Sequence, residues 1–431
     1  MSVPRLPETQ MANLLQELSW RHLLQDQTPG LAARLEQGPV TAYVGFDPTA
    51  PSLQVGNLVP IMLLAHLQRA GGRPLVVLGG GTGLIGDPSG KQQERPLLHP
   101  RVLAANLERQ AGQFRRLLPG AAILNNADWL QGLSLVDFLR EVGKHFTVSV
   151  MLQKESVKAR LDEGISFTEF SYMLLQAYDF WHLYRDPDWR CELQMGGSDQ
   201  WGNITAGIAL IRRREGGEAH GLSGPLVTTA SGAKFGKSEG QAVWLDPALT
   251  APATFYNFWV NTDDRDVERY LAMFTFKTAP EIADLMARHA DDPGARVPHR
   301  ALARELTARV HGEAVAEEAH QALREVFSGL AEADPIAVIE RLAGQLPERS
   351  YRWDAANPPK VEDLFVAAGL ATSKSNARRL LAGRGLWLNG RLPKPGEVVD
   401  RSEVKETALG LYVLLQKGKK TFQPLRIIGL E

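Results

Sequence analysis

The tightest constraint on the fold lies between residues 41 and 78. Residues 41–46 form a short apolar block, cut off by Asp47-Pro48-Thr49-Ala50-Pro51, where two prolines bar both a helix interior and a sheet ladder. Residues 58–70 then carry apolar side chains at helical spacing, and Gly71-Gly72 stops them. Residues 74–78 are a second apolar block that runs into a glycine-rich turn. Strand, helix and strand in this order predict a right-handed parallel unit of a doubly wound sheet. Ligands of such a sheet sit beyond the carboxyl ends of its strands. Both of the conspicuous loops fall at that end.

The rest of the chain extends this plan. Leu14, Leu15, Leu18 and Leu23 predict a helix over 11–24, and a further helix is predicted over 165–184. A loop with Gly196-Gly197-Ser198-Asp199-Gln200 precedes an apolar stretch at 204–211. After Asp246 the pattern is helical to about residue 330, and 347–359, rich in proline and polar residues, reads as a linker. Short helices are predicted at 361–368 and 374–382, then a strand at 386–389 with a turn at Asn389-Gly390. No internal repeat has a solenoid period. The expected fold is α/β. A Rossmann-like, doubly wound parallel-sheet domain over 1–248 is followed by an α-helical domain over 249–330, a linker over 331–359 and a small α+β domain over 360–431.

Composition narrows the setting. With 44% apolar residues, the 431-residue chain can bury several cores. Its single cysteine, Cys191, cannot form an internal disulfide, and it reads as a small buried hydrophobe in a reducing compartment. The first residues lack the basic start and apolar block of a signal peptide, and no apolar run approaches the roughly 18 residues that span a bilayer. We therefore expect a cytoplasmic protein with no membrane partner. The net charge of −1 is unevenly placed: residues 360–431 hold 13 Lys and Arg against 7 Asp and Glu, a balance of +6, which leaves −7 for the residues before them. A basic tail of this kind can attract polyanions or simply be a solvated surface.

Two glycine-rich loops invite comparison with a phosphate-binding P-loop, and neither is one. In Gly79-Gly80-Gly81-Thr82-Gly83-Leu84-Ile85-Gly86-Asp87-Pro88-Ser89-Gly90-Lys91 the required first glycine is Ile85, and Gln92 replaces the magnesium-binding hydroxyl. In the second, Ser231 stands where the glycine belongs before Gly236-Lys237-Ser238. Lys234-Phe235-Gly236-Lys237-Ser238 is more informative. Two lysines on a polar loop can close on polyphosphate as a leaving pyrophosphate gains charge, although the same pentapeptide could be a solvated basic turn.

Taken together, Asp47-Pro48-Thr49, then Leu53-Gln54-Val55-Gly56-Asn57 at a helix start, Gly86-Asp87-Pro88-Ser89-Gly90-Lys91 and the lysine pentapeptide follow the order of class I aminoacyl-tRNA synthetases. The chain resembles the bacterial tyrosyl enzymes of that class through Val142-Gly143-Lys144-His145-Phe146, Ser166-Phe167-Thr168-Glu169-Phe170-Ser171-Tyr172, Leu175-Gln176-Ala177-Tyr178-Asp179-Phe180 and Gly196-Gly197-Ser198-Asp199-Gln200-Trp201-Gly202-Asn203. The resemblance implies that L-tyrosine is activated with ATP and magnesium and passed to tRNA by a homodimer. It matches Tyr43 and Asp179 to the partners of the substrate hydroxyl, and Asp87, Tyr172 and Gln176 to the partners of its ammonium. Gln200 matches the position that holds the substrate carboxylate or carbonyl. For ATP it matches Gly45, Asp47, Thr49, Gly56, Asp199, Lys234, Lys237 and Ser238. Lys91 and Arg95 match basic residues near pyrophosphate or the tRNA end. No protein metal-ligand set is expected.

One departure matters. The family has His-Ile-Gly-His where this chain has Gln54-Val55-Gly56-Asn57, so neither imidazole is present. Gln54 and Asn57 can donate a neutral N–H but cannot shuttle a proton near neutral pH. The tail is similar to a small RNA-binding module shared with a ribosomal protein, through 364–370, 373–380 and Leu388-Asn389-Gly390, and the helical segment 249–330 corresponds to the family's anticodon-side domain. Two readings compete. One is an inactive relative kept for RNA binding, supported by the missing imidazoles. The other is a ligase for tryptophan or another adenylate, against which Tyr43 with Asp179 argues for a phenol.

Overall fold

The computed structural model describes residues 11–430 apart from 90–96, 159, 162–163, 231, 233–234, 239–240, 329–333, 344–347 and 419–420. The chain forms two compact units. The first comprises residues up to Thr250 with Trp259–Val310, and the second comprises Ala251–Phe258 with His311–Glu431.

The first unit is built on a six-stranded sheet of β1 (Asp26–Gln27), β2 (Thr41–Phe46), β3 (Arg73–Leu78), β4 (Ala122–Asn125), β5 (Leu193–Gly197) and β6 (His220–Gly224). Their spatial order is β1-β6-β5-β2-β3-β4, and all neighbours are parallel except the edge pair of β1 with β6. The expected strand–helix–strand unit is β2, α1 (Leu58–Arg69) and β3, with Tyr43 opposite Leu75. Nearly every residue of α1 is buried, as suits a helix that is apolar on all sides. Later strands add on both flanks of β2, so the order reverses between β2 and β5. Connections leave in opposite directions there and open a crevice at the strand ends.

Three further helices shape that crevice: α2 (Pro100–Leu117), α3 (Phe167–Arg185) and α4 (Trp201–Glu215). Ser166 caps α3 by accepting from the Glu169 N–H. Buried Glu169 is in turn held by Arg160 at 3.0 Å. The expected helix over 11–24 is shorter, Leu14–Trp20, because His22 takes a positive φ of 56° and turns the chain. The apolar stretch at 204–211 lies within α4. Cys191 is buried, and its thiol is pushed well above its usual range by burial.

Residues 259–310 belong with the first unit, which differs from the single helical segment expected over 249–330. Aromatic packing accounts for this. Phe235, from the lysine-bearing loop, stacks on Phe274 with centroids 5.5 Å apart and also meets Trp259 and Tyr270.

In the second unit, β7 (Arg349–Arg352), β8 (Leu386–Leu388), β9 (Lys405–Thr407), β10 (Gly410–Lys417) and β11 (Thr421–Ile428) form one sheet. Helices α6 (Val361–Ala367) and α7 (Lys374–Ala382) pack with its Val413, Leu415, Leu425 and Ile427, while α5 (Pro335–Leu342) packs with Tyr412, Leu414 and Phe422. The alternation of 412–415 sends successive side chains to opposite faces. The turn at Asn389-Gly390 is observed with φ of 46° and 82°, and Leu388 and Arg391 exchange both backbone hydrogen bonds across it. The linker expected over 331–359 is corrected: it contains α5 and β7, and β7 pairs in parallel with β11. Its sequence, Arg-Ser-Tyr-Arg, hides an edge strand because such strands tolerate exposed charge.

Candidate active site

A cleft of about 700 Å³ opens at the carboxyl ends of β2, β3 and β5. Tyr43, Gly45, Asp47, Thr49, Gln54, Gly56, Asn57, Asp87, Tyr172, Gln176, Asp179, Asp199 and Gln200 all line it. Lys91, Arg95 and Lys234 lie outside the described residues. Lys237 and Ser238 begin a two-stranded ribbon with Gln241–Ala242.

At the inner end, Asp179 is presented by α3 and is almost fully buried. Its Oδ1 accepts from Trp129 Nε1 at 2.7 Å and its Oδ2 from Asn126 Nδ2 at 2.9 Å. Burial raises its pKa to about 7, and the two donated hydrogen bonds oppose that rise. Beside it the hydroxyl of Tyr43, on the central strand, is buried with no hydrogen-bond partner. Its pKa is raised well above the phenol range by burial and then by the Asp179 charge. An orphaned hydroxyl of this kind is costly unless a ligand completes it.

From Asp179 a continuous hydrogen-bonded chain runs toward the mouth of the cleft. Asn126 Nδ2 also donates to Thr82 Oγ1 at 2.9 Å, and Asn126 Oδ1 accepts from the Gly81 N–H. Thr82 Oγ1 donates to Asp47 Oδ1 at 2.7 Å, and Tyr172 Oη donates to Asp47 Oδ2 at 2.9 Å. Gly79 is required here, since a Cβ on it would stand 2.0 Å from Asp47 Oδ1. A second belt crosses the cleft. Gln200 Nε2 donates to Asp87 Oδ2 at 2.6 Å, Gln176 Nε2 to Gln200 Oε1 at 3.2 Å, and Asn203 Nδ2 to Gln176 Oε1 at 3.0 Å. Tyr172, Gln176 and Asp179 share one face of α3, as their spacing of four and three predicts.

At the outer end, Gln54 to Asn57 form a single tight turn that leads into α1. Asn57 Oδ1 accepts from the Gln54 N–H at 2.8 Å. Only the oxygen of an amide can accept, so this bond fixes which way the Asn57 amide points and leaves its Nδ2 as the remaining donor. A histidine at this position could accept the same N–H through Nδ1 and present Nε2–H in its place. Gly45 and Gly56 leave open space where a Cβ would stand, so backbone is what a ligand meets there.

Electrostatically the cleft is one-sided. Four aspartates line it, and among the described lining residues there is no Lys, Arg or His. Positive charge must come from a ligand, a bound cation or the lysine loop. Sequence reasoning missed Thr82, Asn126, Trp129, Ser89 and Asn203. The apolar run Ala122-Ile123-Leu124 ending in Asn125-Asn126 is a strand signal that could have flagged Asn126.

Comparisons with known proteins place the whole chain in a family. A family model described as tRNA synthetases class I (W and Y) matches residues 35–328. A tyrosine–tRNA ligase of Anaeromyxobacter dehalogenans is 53% identical over 426 residues, covering 97% of this chain and 100% of that protein. One of Roseiflexus castenholzii is 48% identical over 431 residues, covering 97% and 100%. The crystal structure of a C-terminally truncated Aspergillus nidulans mitochondrial tyrosyl-tRNA synthetase is similar with a TM-score of 0.67 and 32% identity, covering 73% of this chain and 94% of that one.

Proposed function

The chain belongs to the class I tRNA synthetases of the tryptophan and tyrosine type and has tyrosine–tRNA ligase activity, and we propose that the cleft at the sheet switch point carries out both of its half-reactions. The single observation that carries this reading is the inner end of the cleft. A buried carboxylate on Asp179 and an unpartnered buried hydroxyl on Tyr43 make a receptor for one phenolic O–H. Phenylalanine would leave the Tyr43 hydroxyl unpaired and offer Asp179 no donor, whereas tyrosine donates to Asp179 and accepts from Tyr43. Asp87, Tyr172 and Gln176 receive the ammonium, whose charge offsets the local carboxylates, and Gln200 orients the carboxylate.

ATP enters as its magnesium complex, with its ribose and phosphates running over Gly45, Gly56, Asp47, Thr49 and Asp199. A carboxylate oxygen of tyrosine attacks the α-phosphorus, the bond to the bridging oxygen breaks, and pyrophosphate departs. No proton has to move in this step. Gln54 and Asn57 therefore need only direct N–H groups at oxygens that gain charge, while Lys234 and Lys237 close on the leaving group with Ser238. Transfer follows when a ribose hydroxyl at the tRNA 3′ end attacks the adenylate carbonyl, its proton passes to a phosphate oxygen of the adenylate, the bond from the carbonyl carbon to the phosphate oxygen breaks, and AMP leaves. Lys91 and Arg95 serve that end or the pyrophosphate.

The segment 360–431 is the RNA-binding module in this proposal, and helices between 249 and 330 serve the anticodon side. Within the module Arg378 is already committed to buried Glu362 at 2.9 Å and Lys374 to Asp363 at 2.6 Å, which turns attention to exposed Arg379 and Arg384. A homodimer is supported by exposed apolar side chains along 135–167, including Leu135, Val136, Val148 and Phe167. The buried lone thiol suits a cytoplasmic setting. Tyrosine-dependent exchange of labelled pyrophosphate into ATP tests the proposal. Exchange with tyrosine and not with phenylalanine or tryptophan is expected, and its absence with tyrosine would overturn it.

A further inference from the structure

Three segments of the first unit bring three donor atoms together. Asp264 lies in the turn before the helix Val267–Phe274, His289 in the last turn of Ala279–Asp291, and His299 in the first turn of Val297–His311. Asp264 Oδ1 stands 3.0 Å from His299 Nε2 and 3.6 Å from His289 Nε2, and one donor atom of each residue lies within 4.8 Å of the other two. Both rings are buried, His299 completely, while Asp264 stays open to solvent.

The contacts are close but poorly aligned for hydrogen bonding. His299 Nε2 is near enough to donate to Asp264, yet neither nitrogen of His299 makes an aligned hydrogen bond, and neither does Nδ1 of His289. Close approach without alignment is what results when lone pairs converge on a shared point. A tetrahedral ion with bonds of about 2.0–2.1 Å holds its ligand atoms roughly 3.3 Å apart, and the two measured separations bracket that value.

We propose that Asp264, His289 and His299 form a zinc-class cation site, with water in the fourth position on the solvent side of Asp264. Two imidazoles and one carboxylate suit a borderline cation better than magnesium or calcium, which prefer all-oxygen shells. One neighbour opposes it. Arg296 Nη1 is 3.4 Å from Asp264 Oδ1, although its guanidinium mainly donates to the carbonyls of Val260 and Thr262. Shared use of that oxygen weakens the site without removing it.

Such a clip would bear on the catalytic loop. Two residues past Asp264, Asp266 Oδ2 accepts from the Ala230 N–H at 2.7 Å, and Arg269 Nη2 donates to the Thr228 carbonyl at 2.7 Å. Fixing the turn to two helices stiffens the contacts that hold Thr228 and Ala230, the described residues leading toward that loop.

The test is titration of the metal-free full-length chain with zinc alone, and in parallel with cobalt(II), whose visible absorption reports tetrahedral nitrogen and oxygen ligation. One saturable equivalent is expected. His289→Gln, His299→Gln and Asp264→Asn should each weaken zinc binding by about tenfold or more. Arg296→Gln should tighten it. Because His299→Gln could unfold the helix pair, the more exposed Asp264→Asn is the deciding variant, with circular dichroism to verify its fold. The proposal is overturned if the unaltered chain shows no saturable binding, or if folded Asp264→Asn binds zinc as tightly as the unaltered chain.

Discussion

At the inner end of the cleft, Asp179 sits on a 19-residue helix with both oxygens already engaged by Trp129 and Asn126. At the outer end, Gln54 and Asn57 occupy one tight turn, and Lys237 begins a ribbon of two-residue strands. The inner end has its geometry settled before a substrate arrives, and low dielectric makes each of its polar groups count. In the proposed reaction the outer end gains positive charge only when the lysine loop closes. Recognition of a single hydroxyl needs the first arrangement, because selectivity comes from groups that cannot find water as a substitute. Stabilising a departing pyrophosphate favours the second, because charge present only late in the reaction lowers the barrier without over-stabilising bound ATP.

The largest expected effect breaks the inner end. Asp179→Ala should cost about 3 kcal/mol, on the order of 100-fold in kcat/KM for tyrosine, and leave phenylalanine activation nearly unchanged. Tyr43→Phe should have the same selectivity with a loss of about tenfold. Pyrophosphate exchange with each amino acid measures both, and equal losses for the two would refute the assignment.

At the outer end, Gln54→Ala and Asn57→Ala should each slow adenylate formation by roughly 10- to 100-fold while tyrosine affinity holds, the pattern of contacts made mainly in the transition state. Asn57→His should stay near the unaltered rate, since Nδ1 can take over the bond from the Gln54 N–H. Single-turnover rates across tyrosine and ATP concentrations decide this. Variants as fast as the parent would remove both amides from the reaction.

A smaller effect concerns pH. Asp179 titrates near 7 in the folded chain against an ordinary 3.8. Between those values the folded chain holds a proton that the unfolded chain has released, so this group's contribution to stability falls as pH rises through that window. Asp179→Asn should flatten that part of a denaturation series taken at successive pH values. Preference for tyrosine over phenylalanine should in turn decline as pH drops below 7, because the ionised carboxylate is the stronger acceptor. Trp129→Phe removes a donor that favours the ionised form and should move the decline to higher pH. The smallest effect lies in the second unit. Arg379→Ala with Arg384→Ala should raise the KM for tRNA by about threefold to tenfold, reduce its salt dependence and spare pyrophosphate exchange. An unchanged salt slope would remove these two side chains from the RNA contact.

The parallel core was legible because apolar blocks between strong breakers report buried strands directly. The residues of the cleft were legible through family motifs, and thirteen of those named line the cleft. What escaped is what the motifs do not encode. Asn126 and Trp129 lie far from Asp179 in sequence, and nothing local in Asn126-Ala127-Asp128-Trp129 announces a partner 50 residues on. β7 escaped because an edge strand reading Arg-Ser-Tyr-Arg has no apolar period to detect. The reach of the first unit to residue 310 escaped because it depends on Phe235 stacking on Phe274, a contact that helix propensity cannot anticipate.

The pairing of β7 with β11 also bears on how the protein is made. Arg349 to Arg352 meet Leu425 to Ile428 in parallel, and some seventy residues separate the two strands. Closing so long a loop is entropically slow, and β7 can find no partner in this sheet until β11 has been synthesised. The first unit, in contrast, has every strand of its six-stranded sheet by residue 224 and all its described residues by 310. During translation the cleft can therefore be packed while the second unit's sheet is still incomplete.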